Sequence, residues 1–276
     1  MQVTIKDDFD LDKIIESGQC FRGKSLEDGS YRFISGDSAI YLRPKDREPG
    51  VYTVSCDQKS WETIWFPFFD LERCYRKIAV SESGKHEFVD QAIAHGRGVR
   101  LLRQDPWEML LTFIISQRKS IPAIIKSVEA LSEKYGHDIV TEQERLKAFP
   151  SPEEMKDATE EELAACGLGY RVKYILDAIQ KVNSGELNLQ AIAELPDNVL
   201  LEKLQTVMGV GIKVANCIAL FAYGRTACVP VDVWIFRAIE KECGGVSPFS
   251  LYGENAGIIQ QYIFYYERGV IGSKDG

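Results

Sequence analysis

The residues able to do chemistry cluster between Leu204 and Arg237. The segment Leu204-Gln-Thr-Val-Met-Gly-Val-Gly-Ile-Lys-Val-Ala-Asn-Cys-Ile-Ala-Leu-Phe places Gly209-Val210-Gly211 as a tight turn between two helices, and Lys213 follows in the first turn of the second helix. Glycines accept positive φ and allow close backbone approach, and amides at a helix start carry partial positive charge suited to a phosphate. A cation at that end opposes the helix dipole, which favours the neutral amine, and a neutral amine is a nucleophile. Nineteen residues on, Val229-Pro-Val-Asp232 rigidifies a loop and opens another helix. Each feature also has a plain structural use. The glycine turn serves as a packing corner, the lysine as a surface residue and the aspartate as an N-cap. The lysine–aspartate pairing is more specific than either residue alone.

These residues must be carried by a fold, and the chain changes character near residue 90. Earlier, Tyr31-Arg-Phe-Ile, Ala39-Ile-Tyr-Leu-Arg and Val51-Tyr-Thr-Val-Ser alternate as strands between the turn clusters Glu27-Asp-Gly-Ser, Ser35-Gly-Asp-Ser and Pro49-Gly. From Asp105 the pattern is helical. Asp105-Pro106 reads as an N-cap followed by proline, Ser151-Pro152 and Leu195-Pro196 repeat the proline-first start, and Thr159 with Glu162 matches a capping box. Further helices are predicted over Ile121–Tyr135, Arg171–Ser184, Ile212–Phe221, Val231–Glu242 and Ala256–Arg268. The fold class is therefore α+β, with an antiparallel sheet domain over 1–103 and an all-helical domain over 104–276, its hairpin at about 204–221.

Composition limits the alternatives. The 276 residues are 45% hydrophobic and 27% charged, ordinary for a globular chain, and lack the apolar run that a membrane span needs. Seven scattered cysteines, with no C-x-x-C pair, fit a reducing cytoplasm rather than a disulfide framework or zinc site. The start, Met1-Gln-Val-Thr-Ile, does not read as a secretory signal, so a cytoplasmic, microbial setting is expected. A net charge of −8 argues against nonspecific coating of nucleic acid, yet the hairpin can grip one phosphate through backbone amides.

Met208-Gly-Val-Gly-Ile-Lys213-Val-Ala followed by Val229-Pro-Val-Asp232 resembles the helix-hairpin-helix glycosylases that carry a Gly/Pro-rich loop and final aspartate. Ser17-Gly-Gln-Cys-Phe-Arg, Phe69-Asp-Leu, Gly98-Val-Arg-Leu-Leu-Arg-Gln-Asp-Pro, Gly167-Leu-Gly-Tyr-Arg and Ala256-Gly-Ile-Ile-Gln extend the resemblance over most of the chain, toward 8-oxoguanine DNA glycosylases. It implies a bifunctional glycosylase and abasic-site lyase, in which Lys213 attacks the sugar and Asp232 stabilises the developing positive charge. Gly18, Cys217, Gln260 and Phe264 would recognise the flipped base. Arg118, Lys119, Tyr170 as a wedge, Arg171, Gly209 and Gly211 would contact DNA. It also implies a hairpin cation held by carbonyls of Gln205, Val207 and Val210.

The expected partner is duplex DNA containing 8-oxoguanine, met by a monomer with no cofactor and no membrane. Two other classes stay open: a glycosylase of this fold for another base, and a noncatalytic module that grips phosphate. Relatives specific for cytosine opposite the lesion carry Asn-Asn where this chain has Arg118-Lys119, an arginine at Ala123 and a histidine at Trp234. Relaxed opposite-base preference is the consequence expected.

Overall fold

The computed structural model describes residues 1–272. Its strands are β1 (Gln2–Thr4), β2 (Lys24–Ser25), β3 (Tyr31–Ser35), β4 (Ser38–Pro44), β5 (Val51–Val54), β6 (Asp138–Val140) and β7 (Arg145–Lys147). The early helices are α1 (Leu11–Glu16), α2 (Gln58–Ser60), α3 (Phe66–Phe68), α4 (Tyr75–Glu82) and α5 (Glu87–Gly96). Next come α6 (Pro106–Ser116), α7 (Ile121–Tyr135), α8 (Glu160–Ala165) and α9 (Val172–Asn183). The last are α10 (Asp197–Leu204), α11 (Ile212–Phe221), α12 (Val233–Glu242) and α13 (Ala256–Gly272). Residues 273–276 of the expected second domain lie outside the described chain.

The five-stranded antiparallel sheet has the order β1-β5-β4-β3-β2, so the expected meander forms and β1 adds to its β5 edge. The architecture is α+β as read from sequence, with two differences. The first hundred residues also contain five α-helices and a π-helical segment at Trp61–Trp65, and a short β6–β7 hairpin interrupts the helical part.

Two compact units emerge, and they do not follow a single cut at 103/104. One unit holds residues 1–32, 40–103 and 224–276; the other holds 33–39 and 104–223. In the first, α13 packs on α5, and Gly96 makes the approach feasible because a Cβ there would sit 2.6 Å from a ring carbon of Tyr262. The same unit is fastened by Arg100, fully buried, whose guanidinium donates to Phe69 O, Asp8 O, Asp70 O, Arg73 O and the Asp7 carboxylate. In the second, Ile34 and Ala39 at the hairpin tip pack with Ile139, Leu146 and Ala148 of the small hairpin.

Local signals mostly determine the helix starts. Asp105 caps α6 through Glu108 N with Pro106 in the first turn, and Thr159 with Glu162 forms the capping box of α8. Pro196 differs from expectation by standing at the N-cap of α10 rather than inside it. Ser151-Pro152 opens no helix. Ser151 and Glu154 do make reciprocal capping contacts, at 3.2 and 2.7 Å, but Met155 is followed by turns and the next N-cap is already Thr159. So few residues cannot repay helix nucleation.

Candidate active site and nucleic-acid interface

In the second unit, α10, the Gly209-Val210-Gly211 turn and α11 form the expected hairpin. Gly209 needs its glycine twice: φ is 82°, and a Cβ would come within 2.4 Å of the Tyr174 ring. Val210 N donates to Val207 O at 3.0 Å, closing the turn. Gly211 is the N-cap of α11, with no side-chain cap and no acidic residue in the first turn. The exposed amides of this helix start therefore face outward without a protein anion, which suits a phosphate.

Lys213 is half-buried one residue into α11, with Nζ 5.7 Å from the centroid of the Phe113 ring. Cys217, one turn later, is buried. Of the carbonyls proposed for a cation, Gln205 belongs to the C-cap of α10 and Val207 O already accepts one hydrogen bond in the turn.

The wedge candidate lies in the same unit. Gly167, Leu168 and Gly169 lead into Tyr170, with φ of 75° at Gly167 and 57° at Gly169. Tyr170 is 50% exposed, edge-on to Tyr174 at 5.9 Å, and carries the Arg171 guanidinium over its ring at 4.4 Å. Since Tyr174 also fills the space beneath Gly209, one ring touches both Tyr170 and the hairpin. Helix α9 continues this grip: Asp177 accepts from Met208 N at 2.7 Å, and Lys181 donates to Thr206 O.

The expected DNA contacts divide in two. Arg118 is exposed, at φ 52°, and makes no hydrogen bond among the described residues. Lys119 instead turns inward, donating to Ser127 Oγ at 2.6 Å and Gly167 O at 2.7 Å. Burial, with the nearby Arg171 charge, lowers its pKa. Arg171 is itself buried and donates to the carbonyls of Leu168 and Gln117.

The first unit holds the remaining residues. Asp232 caps α12, its Oδ1 accepting from Trp234 N at 3.0 Å and Ile235 N at 2.9 Å. Gly18, at φ 75°, follows α1, and its carbonyl accepts no hydrogen bond among the described residues. The loop around it is rigidly tied. Gln19 is buried and bonds Ser17 Oγ, Arg100 O and Leu102 N, while Gln261 Nε2 donates to Ser17 O at 2.6 Å. Gln260, adjacent on α13, is buried with no hydrogen-bond partner for Oε1 among the described residues. An unpaired buried amide oxygen costs free energy, and such exceptions are common where a ligand is to complete the pairing. Phe264 lies one turn further, half-buried, with the Arg268 guanidinium 5.7 Å from its ring centroid.

Residues 2–110 match the N-terminal domain of 8-oxoguanine DNA glycosylase, and residues 111–248 match the HhH-GPD superfamily of base excision DNA repair proteins. The N-glycosylase/DNA lyase OGG1 of Arabidopsis thaliana is 31% identical over 274 residues, covering 91% of this chain and 75% of that one. The chain belongs to the 8-oxoguanine DNA glycosylase family. Two solved relatives share its fold closely. MBOgg1, in complex with a low-affinity DNA ligand, has a TM-score of 0.91 at 38% identity and covers 98% of this chain and 95% of its own. The Clostridium acetobutylicum 8-oxoguanine glycosylase/lyase, bound to duplex DNA with cytosine opposite 8-oxoguanine, has a TM-score of 0.89 at 32% identity and covers 98% of both chains.

Sequence reasoning missed Gln117, Tyr174, Ser127 and Gln261, which hold these site residues in place. Only Gln261 left a local trace, as a second glutamine beside Gln260 in an otherwise apolar helix turn. Among the described residues no helix is long and apolar enough to cross a membrane, and no group of His, Cys, Asp and Glu could hold a metal ion.

Proposed function

We propose that this member of the 8-oxoguanine DNA glycosylase family flips 8-oxoguanine out of duplex DNA, excises it, and cleaves the abasic strand. The observation that carries the substrate is the pairing of two open acceptors in one unit: the half-buried Gly18 carbonyl and the buried Gln260 Oε1, neither hydrogen-bonded among the described residues, whose immediate neighbours Ser17 and Gln261 are hydrogen-bonded to each other. 8-Oxoguanine offers an N7–H to a carbonyl, where guanine presents a lone pair that the carbonyl repels. A glutamine amide pairs with the Watson–Crick edge. A site with buried polar groups rejects ligands that leave those groups unpaired. This favours 8-oxoguanine over another base for the fold.

In the chemical step the Lys213 amine forms a bond to C1′ as the glycosidic bond breaks, and the electron pair leaves with the base, which takes up a proton. Loss of an amine proton and opening of the sugar ring at O4′ give the imine. Removal of a C2′ proton then expels the 3′ phosphate by β-elimination. Asp232, its Oδ1 engaged by two amides, supplies a fixed negative charge for the oxocarbenium-like sugar. The α11 amides grip a backbone phosphate, and the hairpin carbonyls of Gln205, Val207 and Val210 suit a monovalent cation there. Tyr170 fills the gap left by the flipped base, offsetting part of an unstacking cost of a few kcal/mol. Arg118 faces the nucleic acid.

None of the seven cysteines forms a disulfide, which fits a reducing compartment and supports action in the cytoplasm. Borohydride trapping on a duplex with one 8-oxoguanine tests this reading. The expected result is a covalent adduct with the wild type and none with Lys213→Gln. Release of free base without an adduct would refute the lysine nucleophile, and neither product from a folded, duplex-binding protein would refute the glycosylase reading.

A further inference from the structure

The segment joining α6 to α7 does not behave as a surface loop. At its start Gln117 Nε2 donates to Gly209 O in the hairpin at 3.1 Å, and Gln117 O accepts from the Arg171 guanidinium in the wedge loop. Two residues on, the Lys119 ammonium spans from Ser127 Oγ on α7 to Gly167 O at the root of that loop. The loop needs such a tether. Gly167 and Gly169 both sit at positive φ, so two permissive residues flank Leu168 directly before the wedge. Leu168 is fully buried and Gly167 N donates to Ala164 O at 2.9 Å, which anchors the amide side of the turn and leaves the Gly167 carbonyl to Lys119, at 2.7 Å, and more weakly to Ser127 Oγ, at 3.4 Å.

We infer that Lys119 is a positioning residue for the wedge: by holding the Gly167 carbonyl it sets Tyr170 in the orientation that enters the base stack, rather than binding DNA itself. This rests on the reading of the chain as a base-flipping glycosylase with Tyr170 as its wedge. The two basic residues of the pair then have different duties. Arg118, exposed and unbonded among the described residues, stays available to nucleic acid, while Lys119 directs its charge into the protein. Ordering the loop before the encounter removes an entropic cost from the flipping step, the usual gain from preorganisation. A role confined to flipping should fade on a duplex that already lacks the base, since there is nothing left to unstack.

The test is a double-mutant cycle read on two substrates. Single-turnover excision from an 8-oxoguanine duplex and strand cleavage of an abasic duplex are measured for Lys119→Met, Tyr170→Ala and the double variant, with Lys119→Gln as a second removal of the charge. Lys119→Met is expected to slow excision about tenfold, the scale of a slightly misplaced group. Abasic-strand cleavage should change less than about twofold, and the double variant should be no slower than Tyr170→Ala alone, because the two residues act as one unit. Multiplying effects of the two substitutions, or equal slowing on both substrates, would overturn the inference. Unchanged excision by Tyr170→Ala would show instead that the wedge reading beneath it is wrong.

Discussion

Replacing Gln260 by methionine should make the protein more stable and less active. Gln260 is 3% exposed, and its Oε1 has no hydrogen-bond partner among the described residues. A buried polar atom left unpaired costs about 1–3 kcal/mol, and an apolar side chain of similar length removes that penalty while keeping the volume filled. Allowing for imperfect packing, Gln260→Met should gain about 1 kcal/mol, or roughly 2–4 °C in melting temperature for a domain of this size. On the proposed role of Gln260 in reading the base, the same substitution deletes two hydrogen bonds, each about 1.5 kcal/mol, so excision of 8-oxoguanine should fall roughly a hundredfold. Cleavage of an abasic duplex, which has no base to read, should stay near wild type. Thermal unfolding by circular dichroism and single-turnover cleavage of the two duplexes measure all three quantities. A variant that melts below the wild type would mean that the amide is satisfied within the fold. Abasic cleavage falling in step with excision would mean that Gln260 serves the chemistry rather than recognition.

Asp232 separates capping from catalysis. Asp232→Asn keeps an N-cap acceptor for the Trp234 and Ile235 amides and should melt like the wild type, yet lose at least about a hundredfold in excision with the charge. Equal activity in the two proteins would reduce Asp232 to a cap. Arg100→Met withdraws five hydrogen bonds from a fully buried position and leaves Asp7 with the Tyr75 and Arg76 amides but no cation, so unfolding should become easier by about 3–5 kcal/mol; a loss under 1 kcal/mol in denaturant titration contradicts this. His137 titrates above its ordinary 6.5, chiefly through its hydrogen bond to Glu154 at 2.8 Å, with Asp37 on the other ring nitrogen. A raised folded pKa gives stability that is complete below 6.5 and vanishes as pH climbs through the folded value. With the side chain 46% exposed, solvent screening holds it below about 1 kcal/mol. The melting gap between wild type and His137→Gln should therefore be present at acidic pH and close at alkaline pH; a gap that widens with pH contradicts the assignment. On the opposite strand, excision rates with cytosine and with the other bases should differ by less than about tenfold, roughly 1.4 kcal/mol, and single-turnover rates on the four duplexes decide it.

Read alone, the sequence determined what a few neighbouring residues can encode. Asp105 with Pro106, Thr159 with Glu162 and Asp232 each start a helix because the cap and its amides lie within three residues. Gly209-Val210-Gly211 bends the hairpin because positive φ is a local preference. Spacing and residue type likewise singled out Lys213 and Asp232, and the wider resemblance led to Gly18 and Gln260. Tertiary structure decided the rest. Ser17 and Gln261 meet across 244 residues of chain, and that contact, with Tyr265 and Arg268 donating to Glu16, brings the Gly18 loop to the helix carrying Gln260. Tyr174 fills the space that Gly209 leaves open, and the terminal helix returns to α5 and so assigns residues 224–276 to the first unit. Arg118 and Lys119 look alike in sequence, but one faces solvent and the other bonds Gly167, because the available acceptors come from segments far along the chain. Capping and turn preferences are short-range, whereas the partner of a buried polar group is chosen only when distant segments pack.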